Sequence, residues 1–138
     1  METNRELRII IAGSREFNDF SMLRDNISNI ISKYNIILNR HTDLIDKIKI
    51  ISGTARGADQ LGEQYAKIMG YDVIKFPAEW NKYGKSAGYR RNADMAKYAI
   101  QDNNIGMLIA FWDGKSKGTK HMIDLAKRYG LEVHIIKF

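Results

Sequence analysis

The sequence predicts an α/β three-layer sandwich, with five parallel strands in the order 3-2-1-4-5 and helices on both faces. Three observations lead there. Apolar strand-like runs alternate with segments whose apolar residues recur at three- and four-residue steps, giving the series βαβαβαβαβ. Runs such as Ile9-Ile10-Ile11-Ala12 and Gly106-Met107-Leu108-Ile109-Ala110-Phe111-Trp112 read as strands covered on both faces, as parallel strands are. Finally, three strands run directly into glycine-bearing loops that precede helices. With that strand order, strands one and four are neighbours at the reversal point, where ligands bind beyond the carboxyl ends.

The N-terminal stretch Met1 to Arg8 carries charges of both signs and no apolar signal core. No later run approaches the length needed to cross a bilayer, so a cytoplasmic protein without membrane contact is expected. Strand one ends at Gly13-Ser14-Arg15. A first helix starts near Asp19 or Ser21, because Phe20, Leu23, Ile27, Ile30, Ile31 and Tyr34 fall on one face. Residues 35–47 mix Ile36-Ile37-Leu38 with Asn39-Arg40-His41-Thr42-Asp43 and read as a connection that extends either helix or strand. Strand two, Ile48-Lys49-Ile50-Ile51, runs into Ser52-Gly53-Thr54-Ala55-Arg56-Gly57-Ala58-Asp59.

From Gly57 to Met69 a second helical stripe comprises Ala58, Leu61, Tyr65, Ala66 and Ile68-Met69, and Gly70 stands at the left-handed stop position. Strand three, Tyr71 to Phe76, ends at the only proline, Pro77. A polar, aromatic loop over residues 78–88 leads into a third helix from about Tyr89 to Ile100. Strand four precedes the loop Asp113-Gly114-Lys115-Ser116-Lys117-Gly118-Thr119. A fourth helix, Thr119 to Tyr129, stops at Gly130, and residues 131–136 form strand five. The 138 residues suit one domain, with no repeat and no linker.

Composition narrows the function. Without cysteine there is no disulfide framework or thiolate metal site, and His41, His121 and His134 are too scattered to pair on a metal, so no metal or cofactor is required. The net charge of +6 favours phosphorylated ligands or polyanions. Lys33, Lys47, Lys49, Lys67 and Lys127 also suit ordinary solvated faces, so nucleic acid is admitted as a partner but not favoured.

The glycine loops carry the functional reading. Glycine lets backbone approach a ligand closely, and the free N–H groups and positive dipole end of a helix's first turn favour an anion. No Gly-x-Gly-x-x-Gly follows strand one and no Gly-x-x-x-x-Gly-Lys-Ser/Thr occurs, so an ordinary dehydrogenase or ATPase is disfavoured. What remains is a different cradle, in which Gly118 and Thr119 open the fourth helix and Lys115, Ser116 and Lys117 crowd its mouth. A plainer turn, with Thr119 capping the helix, accounts for that loop alone.

Arg15, Arg56, Arg90 and Arg91 are candidates for phosphate, which guanidinium groups grip in a fixed fork. Arg90 and Arg91 point about 100° apart on a helix, and Arg91 is the one expected to face the ligand. Asp59 and Asp113 are placed near ribose hydroxyls, although Asp59 in a first turn is favoured by the helix dipole without any ligand. Trp80, Tyr83 and Tyr89 are candidates for stacking on a base, or for covering a core edge or a subunit contact.

Together these residues resemble the SLOG superfamily of Rossmann-like proteins, specifically its YspA-like branch, over nearly the whole chain. The matching motifs are Gly13-Ser14-Arg15; Ser52-Gly53-Thr54-Ala55-Arg56-Gly57-Ala58-Asp59; Arg91-Asn92-Ala93-Asp94-Met95; and Asp113 to Thr119. The resemblance implies a nucleotide or nucleotide-derived ligand, either a nucleoside phosphate or an ADP-ribose-like compound, held by these motifs in a sensor or accessory protein. It also implies a homodimer or larger homo-oligomer. Related lonely-guy phosphoribohydrolases cleave base from ribose 5′-monophosphate, and Arg91 and Met95 keep the spacing of their arginine helix. The Asp113-to-Thr119 loop here has one extra residue between Gly114 and the Gly118-Thr119 pair, and Met122 stands where their catalytic glutamate would be. A thioether moves no proton. As a nucleotide glycosidic-bond hydrolase or transferase, the chain would need Asp113, Glu16 or Glu79 as a substitute. Kinship with DNA-processing protein A adds a third reading, single-stranded nucleic-acid binding.

Overall fold

A computed structural model describes residues 5–40 and 45–138. Positions 41–44, which include part of the connection that the sequence leaves open, lie outside the described residues, as do 1–4. Five strands, β1 (Arg5–Gly13), β2 (Ile45–Ser52), β3 (Asp72–Lys75), β4 (Ile105–Trp112) and β5 (Glu132–Lys137), form one parallel sheet in the order β3-β2-β1-β4-β5. The expected Rossmann-like order is the observed one. Among the described residues five α-helices accompany it: α1 (Phe20–Arg40), α2 (Ala58–Met69), a single-turn α3 (Trp80–Tyr83), α4 (Ala87–Ile100) and α5 (Lys117–Arg128).

β1 and β4 are the axis of the molecule. Their register runs from Leu7 opposite Ile105 to Gly13 opposite Phe111, so both strands deliver their loops at the same height. Alternation along them feeds two cores. Leu7, Ile9, Ile11, Met107, Ile109 and Phe111 pack against α1 and α2, while Ile10, Leu108 and Ala110 pack against α4 and α5. Burial on both faces is what made these runs apolar throughout.

The expected face of α1 is the buried one, with Leu23, Ile27 and Ile31 in the first core and Phe20, Ile30 and Tyr34 packed against it. Asp19 starts the helix by accepting from Met22 N at 3.0 Å. Within residues 35–47, helix continues to Arg40 and strand begins at Ile45. Both extensions are real.

Several expectations need correction. Ile68 and Met69, read as part of the α2 stripe, are exposed at the helix end, where Gly70 turns the chain with φ 77°. The loop after Pro77 is not irregular. It folds into α3 and a 3-10 turn, Gly84–Ser86, so α4 starts at Ala87 rather than Tyr89. Lys49 is not a solvated lysine. Its Nζ meets Glu6 Oε2 at 2.9 Å, and Glu6 also binds the buried Arg8, whose guanidinium lies 4.0 Å from the Tyr98 ring centre. Among the described residues no helix is long and apolar enough to cross a membrane.

Candidate functional site

The β1 carboxyl end is where the three glycine loops are tied together. Ser14 N donates to Phe111 O at 3.0 Å, and Ala58 N donates to Ser14 O at 3.3 Å. Gly13 is needed for this approach, because a Cβ there would run into the Phe111 carbonyl oxygen and lie 2.9 Å from Ala58 Cβ. The Ser14 hydroxyl is buried, accepts from Glu16 N at 3.3 Å and reaches Asp113 Oδ2 at 3.5 Å.

On one side of this junction Arg91, on the crevice side of α4, reaches back across the sheet and donates through Nη1 to Gly53 O. A side chain at position 53 would push both groups aside, since a Cβ would fall 2.7 Å from Arg91 Nη1 and 2.8 Å from Asp59 Oδ2. The glycine therefore lets a guanidinium and a carboxylate converge. Asp59 is 7% exposed and accepts from Ala55 N at 3.2 Å. Burial pushes its carboxyl up to about 6, against the opposing pull of the Ala55 N–H and of Arg91. Burial likewise lowers the Arg91 pKa, and Asp59 partly restores it.

On the other side stands the first turn of α5. Ser116, rather than Thr119, caps it: its Oγ accepts from Thr119 N at 3.4 Å and from Thr119 Oγ1 at 3.0 Å. The first intrahelical bond runs from Lys120 N to Ser116 O, so the Lys117 and Gly118 N–H groups precede the helical ladder. Gly118 faces open space, with nothing within 4 Å of where a Cβ would be. The preceding turn is filled from within. Asp113 Oδ1 accepts from Lys115 N at 2.8 Å and Ser116 N at 2.9 Å, and these two bonds hold its carboxyl below the usual range. The cradle expected over the whole of residues 113–119 is thus shortened to its last part.

Between these walls lies a crevice of about 430 Å³, a size common for small-molecule sites. It lies at the strand reversal and draws on all three loops. Of the residues singled out in the sequence, Gly13, Ser14, Arg15, Ala55, Asp59, Trp80, Tyr89, Arg91, Asn92, Ser116, Gly118 and Thr119 line it. Gly53, Thr54 and Arg56 line an adjoining groove instead. The remaining predicted positions lie elsewhere. Ser52 is buried, donating to Glu63 Oε2 at 2.6 Å and accepting from Thr54 N at 3.0 Å. Gly57, at φ 82°, packs against the Ser14 and Arg15 carbonyls. Asp113, Gly114 and Lys115 shape the turn without lining the crevice. Tyr83 does not line the crevice, and the Arg90 guanidinium sits 4.3 Å from its ring centre.

The proposed glutamate substitutes separate in the same way. Asp113 is committed to its own loop, Glu79 is not among the lining residues, and Glu16 lines the crevice but pairs with Arg56 at 2.9 Å. Met122 is 1% exposed and contributes to the crevice floor. Sequence reasoning did not select Lys85, which lines the crevice, or His121, which bonds Asn92 Nδ2 at 3.1 Å and meets the Tyr89 ring edge-on at 4.5 Å. Lys85 sits in the 3-10 turn, where helical spacing gives no signal. His121 could have been found only by its position two residues after Thr119 on the crevice helix.

A family model described as the YspA, cpYpsA-related SLOG family matches residues 7–83. That span includes the β1 and β2 glycine loops and stops before Arg91 and the β4 loop. The chain is also 29% identical over 133 residues to the Gene 61 protein of Mycobacterium phage D29, covering 91% of this chain and 93% of that protein. No solved structure matches the chain.

Proposed function

Because the chain belongs to the YspA, cpYpsA-related SLOG family, we propose that it binds a small phosphorylated nucleoside or ADP-ribose-like ligand in the crevice between β1 and β4. Family membership supports a nucleotide-related role, either binding or modifying. The observation that carries the finer reading is the placement of Arg91. Its guanidinium is held by Gly53 O beside Asp59, with Arg15 on the same wall and the α5 first turn also lining the crevice. A phosphate there would meet a forked cation and free helix N–H groups. Trp80, half exposed at the rim, offers a face to a base.

The test is mass spectrometry of small molecules released from the purified protein on heating, followed by calorimetric titration with what is found and with a panel of nucleoside phosphates and ADP-ribose. At least one should bind. If none does, and nothing nucleotide-derived is released, the reading fails.

One observation favours a second reading, a glycosidic-bond hydrolase or transferase. Asp59 lines the crevice as a carboxyl whose pKa is pushed up to about 6, suited to accept and donate a proton near neutrality. It would take the role earlier considered for Glu16, Glu79 or Asp113. Free base released from a nucleoside monophosphate, and lost on Asp59→Asn, would promote this reading over simple binding.

A further inference from the structure

Asn92, a sequence candidate for ligand contact, lines the crevice but spends its amide within the protein. It stands on α4 and is 6% exposed. Its Oδ1 accepts from Arg91 Nε at 3.1 Å, while its Nδ2 donates to Gly118 O at 3.3 Å and to His121 Nδ1 at 3.1 Å. An amide nitrogen carries two protons, so both donors are used inside the fold. Turning the amide over would set Oδ1 against the Gly118 carbonyl oxygen and Nδ2 against the Arg91 Nε–H, so only one orientation fits. A single buried side chain thus ties the arginine of α4 to the first turn of α5, the two walls on which the phosphate site depends. From this geometry we infer that Asn92 and His121 are positioning residues: they hold the Arg91 guanidinium at a fixed place relative to the first turn of α5, so that cation and helix N–H groups meet a phosphate as a preset pair. The inference rests on the proposed nucleotide site and names what sets its geometry.

The surroundings of the amide fit that role. Arg91 donates through Nε to Asn92 and through Nη1 to Gly53 O, so its plane is fixed at two points, and neither bond uses Nη2. A planar fork held in this way has lost its rotational freedom before any anion arrives. His121 has to accept from Asn92, which places its ring proton on Nε2. Burial lowers the His121 pKa, against the pull of Asp124 and with help from Arg128, so the ring is neutral and able to accept at pH 7. The Tyr89 ring of α4 meets the imidazole edge-on at 4.5 Å and packs it against that helix. His121 does not itself line the crevice. Any effect it has on a ligand is transmitted by the side chains it touches.

The experiment is calorimetric titration with AMP, ADP-ribose and inorganic pyrophosphate at about pH 7.5, where His121 is neutral. The proteins are the parent, Asn92→Leu, His121→Leu, His121→Asn, Arg91→Ala, and Asn92→Leu combined with Arg91→Ala, each checked for its fold by circular dichroism. Leucine keeps the size of asparagine without its polar atoms, and an asparagine at position 121 sets Oδ1 where the imidazole Nδ1 stood. For a probe that binds the parent, Asn92→Leu should weaken affinity about ten-fold, roughly the worth of one hydrogen bond to a charged group. It should add less than about two-fold to the loss in Arg91→Ala, because it acts through that arginine. His121→Leu should weaken binding about three-fold or more, and His121→Asn should restore it to within about two-fold of the parent. Should Asn92→Leu not fold, the His121 pair still decides. Parental affinity in Asn92→Leu, a fully additive loss in the double variant, or no recovery in His121→Asn overturns the positioning role and leaves the nucleotide site standing. If none of the three probes binds the parent, the phosphate site itself fails and this inference goes with it.

Discussion

Asp59→Asn should make the protein more stable at neutral pH, and its effect should depend on pH in a predictable way. The carboxyl is 7% exposed and its pKa rises from an ordinary 3.8 to about 6 on folding. Below pH 3.8 it is protonated in both folded and unfolded chains, and burial costs no charge. Between 3.8 and 6 the unfolded chain ionises first, so the folded state binds more protons and stability falls as pH rises. Above 6 both states are ionised and the full penalty is present, about 3 kcal/mol for a rise of this size. Asparagine has nearly the same shape, can still accept from Ala55 N through its carbonyl oxygen, and carries no charge to bury. Urea unfolding of parent and variant, followed by circular dichroism from pH 3.5 to 7.5, measures the difference directly. The variant's unfolding free energy relative to the parent should increase by about 3 kcal/mol across that range, with most of the change between pH 4 and 6. A difference that stays flat would mean that the Ala55 N–H and Arg91 balance desolvation, and one that moves the other way that they outweigh it; either refutes a carboxyl raised by burial.

Arg91→Ala should weaken binding of a nucleoside phosphate about ten- to hundred-fold, the value of a charge-assisted hydrogen bond, and should lower the melting temperature more at pH 8 than at pH 5, because Asp59 then loses the cation facing it. Gly118→Val should leave the melting temperature near the parent's, since its side chain would project into open space, yet reduce ligand affinity in the same titration; parental affinity would remove Gly118 from the site. Turnover of purine nucleoside monophosphates to free base should stay well below roughly one per second, a low rate for an enzyme, because Met122 occupies the floor where an acid would be needed; a chromatographic assay that finds faster release, abolished by Arg91→Ala, would reverse that. The exposed Trp80 and Tyr89 offer a patch for self-association, and light scattering should give a mass above the 15.9 kDa of one chain at micromolar concentration.

The sheet and most of its helices were legible because their signals are local. Two-sided burial makes β1 apolar from Ile9 to Ala12 and β4 apolar along its length, helical spacing marks the inner face of α1, and glycines stand where strands hand over to helices. Where the local signal was mixed, the reading lost its edges. Residues 78–88 contain no apolar period because α3 and the 3-10 turn after it bury no side chain, and Ile68-Met69 extended an apolar stripe past the point where α2 leaves the core.

The site divides along the same line. The residue types expected of a phosphate site can be read along the chain, and spacing on a helix says that Arg90 and Arg91 cannot both face the crevice. Which groups remain free to meet a ligand cannot be read there, since that depends on which side chains turn back onto their own loop. Asp113 consumes the N–H groups of Lys115 and Ser116, and Arg90 sits over the Tyr83 ring. Gly53 shows the division most clearly: as a letter it reads as one more loop glycine, but in the fold it is the gap through which Arg91, thirty-eight positions away, comes to Asp59. Alternation and periodicity belong to neighbours in the chain and can be read there. The distance between a cation and a buried carboxylate belongs to the packing of α4 against the sheet, and only the tertiary structure decides it.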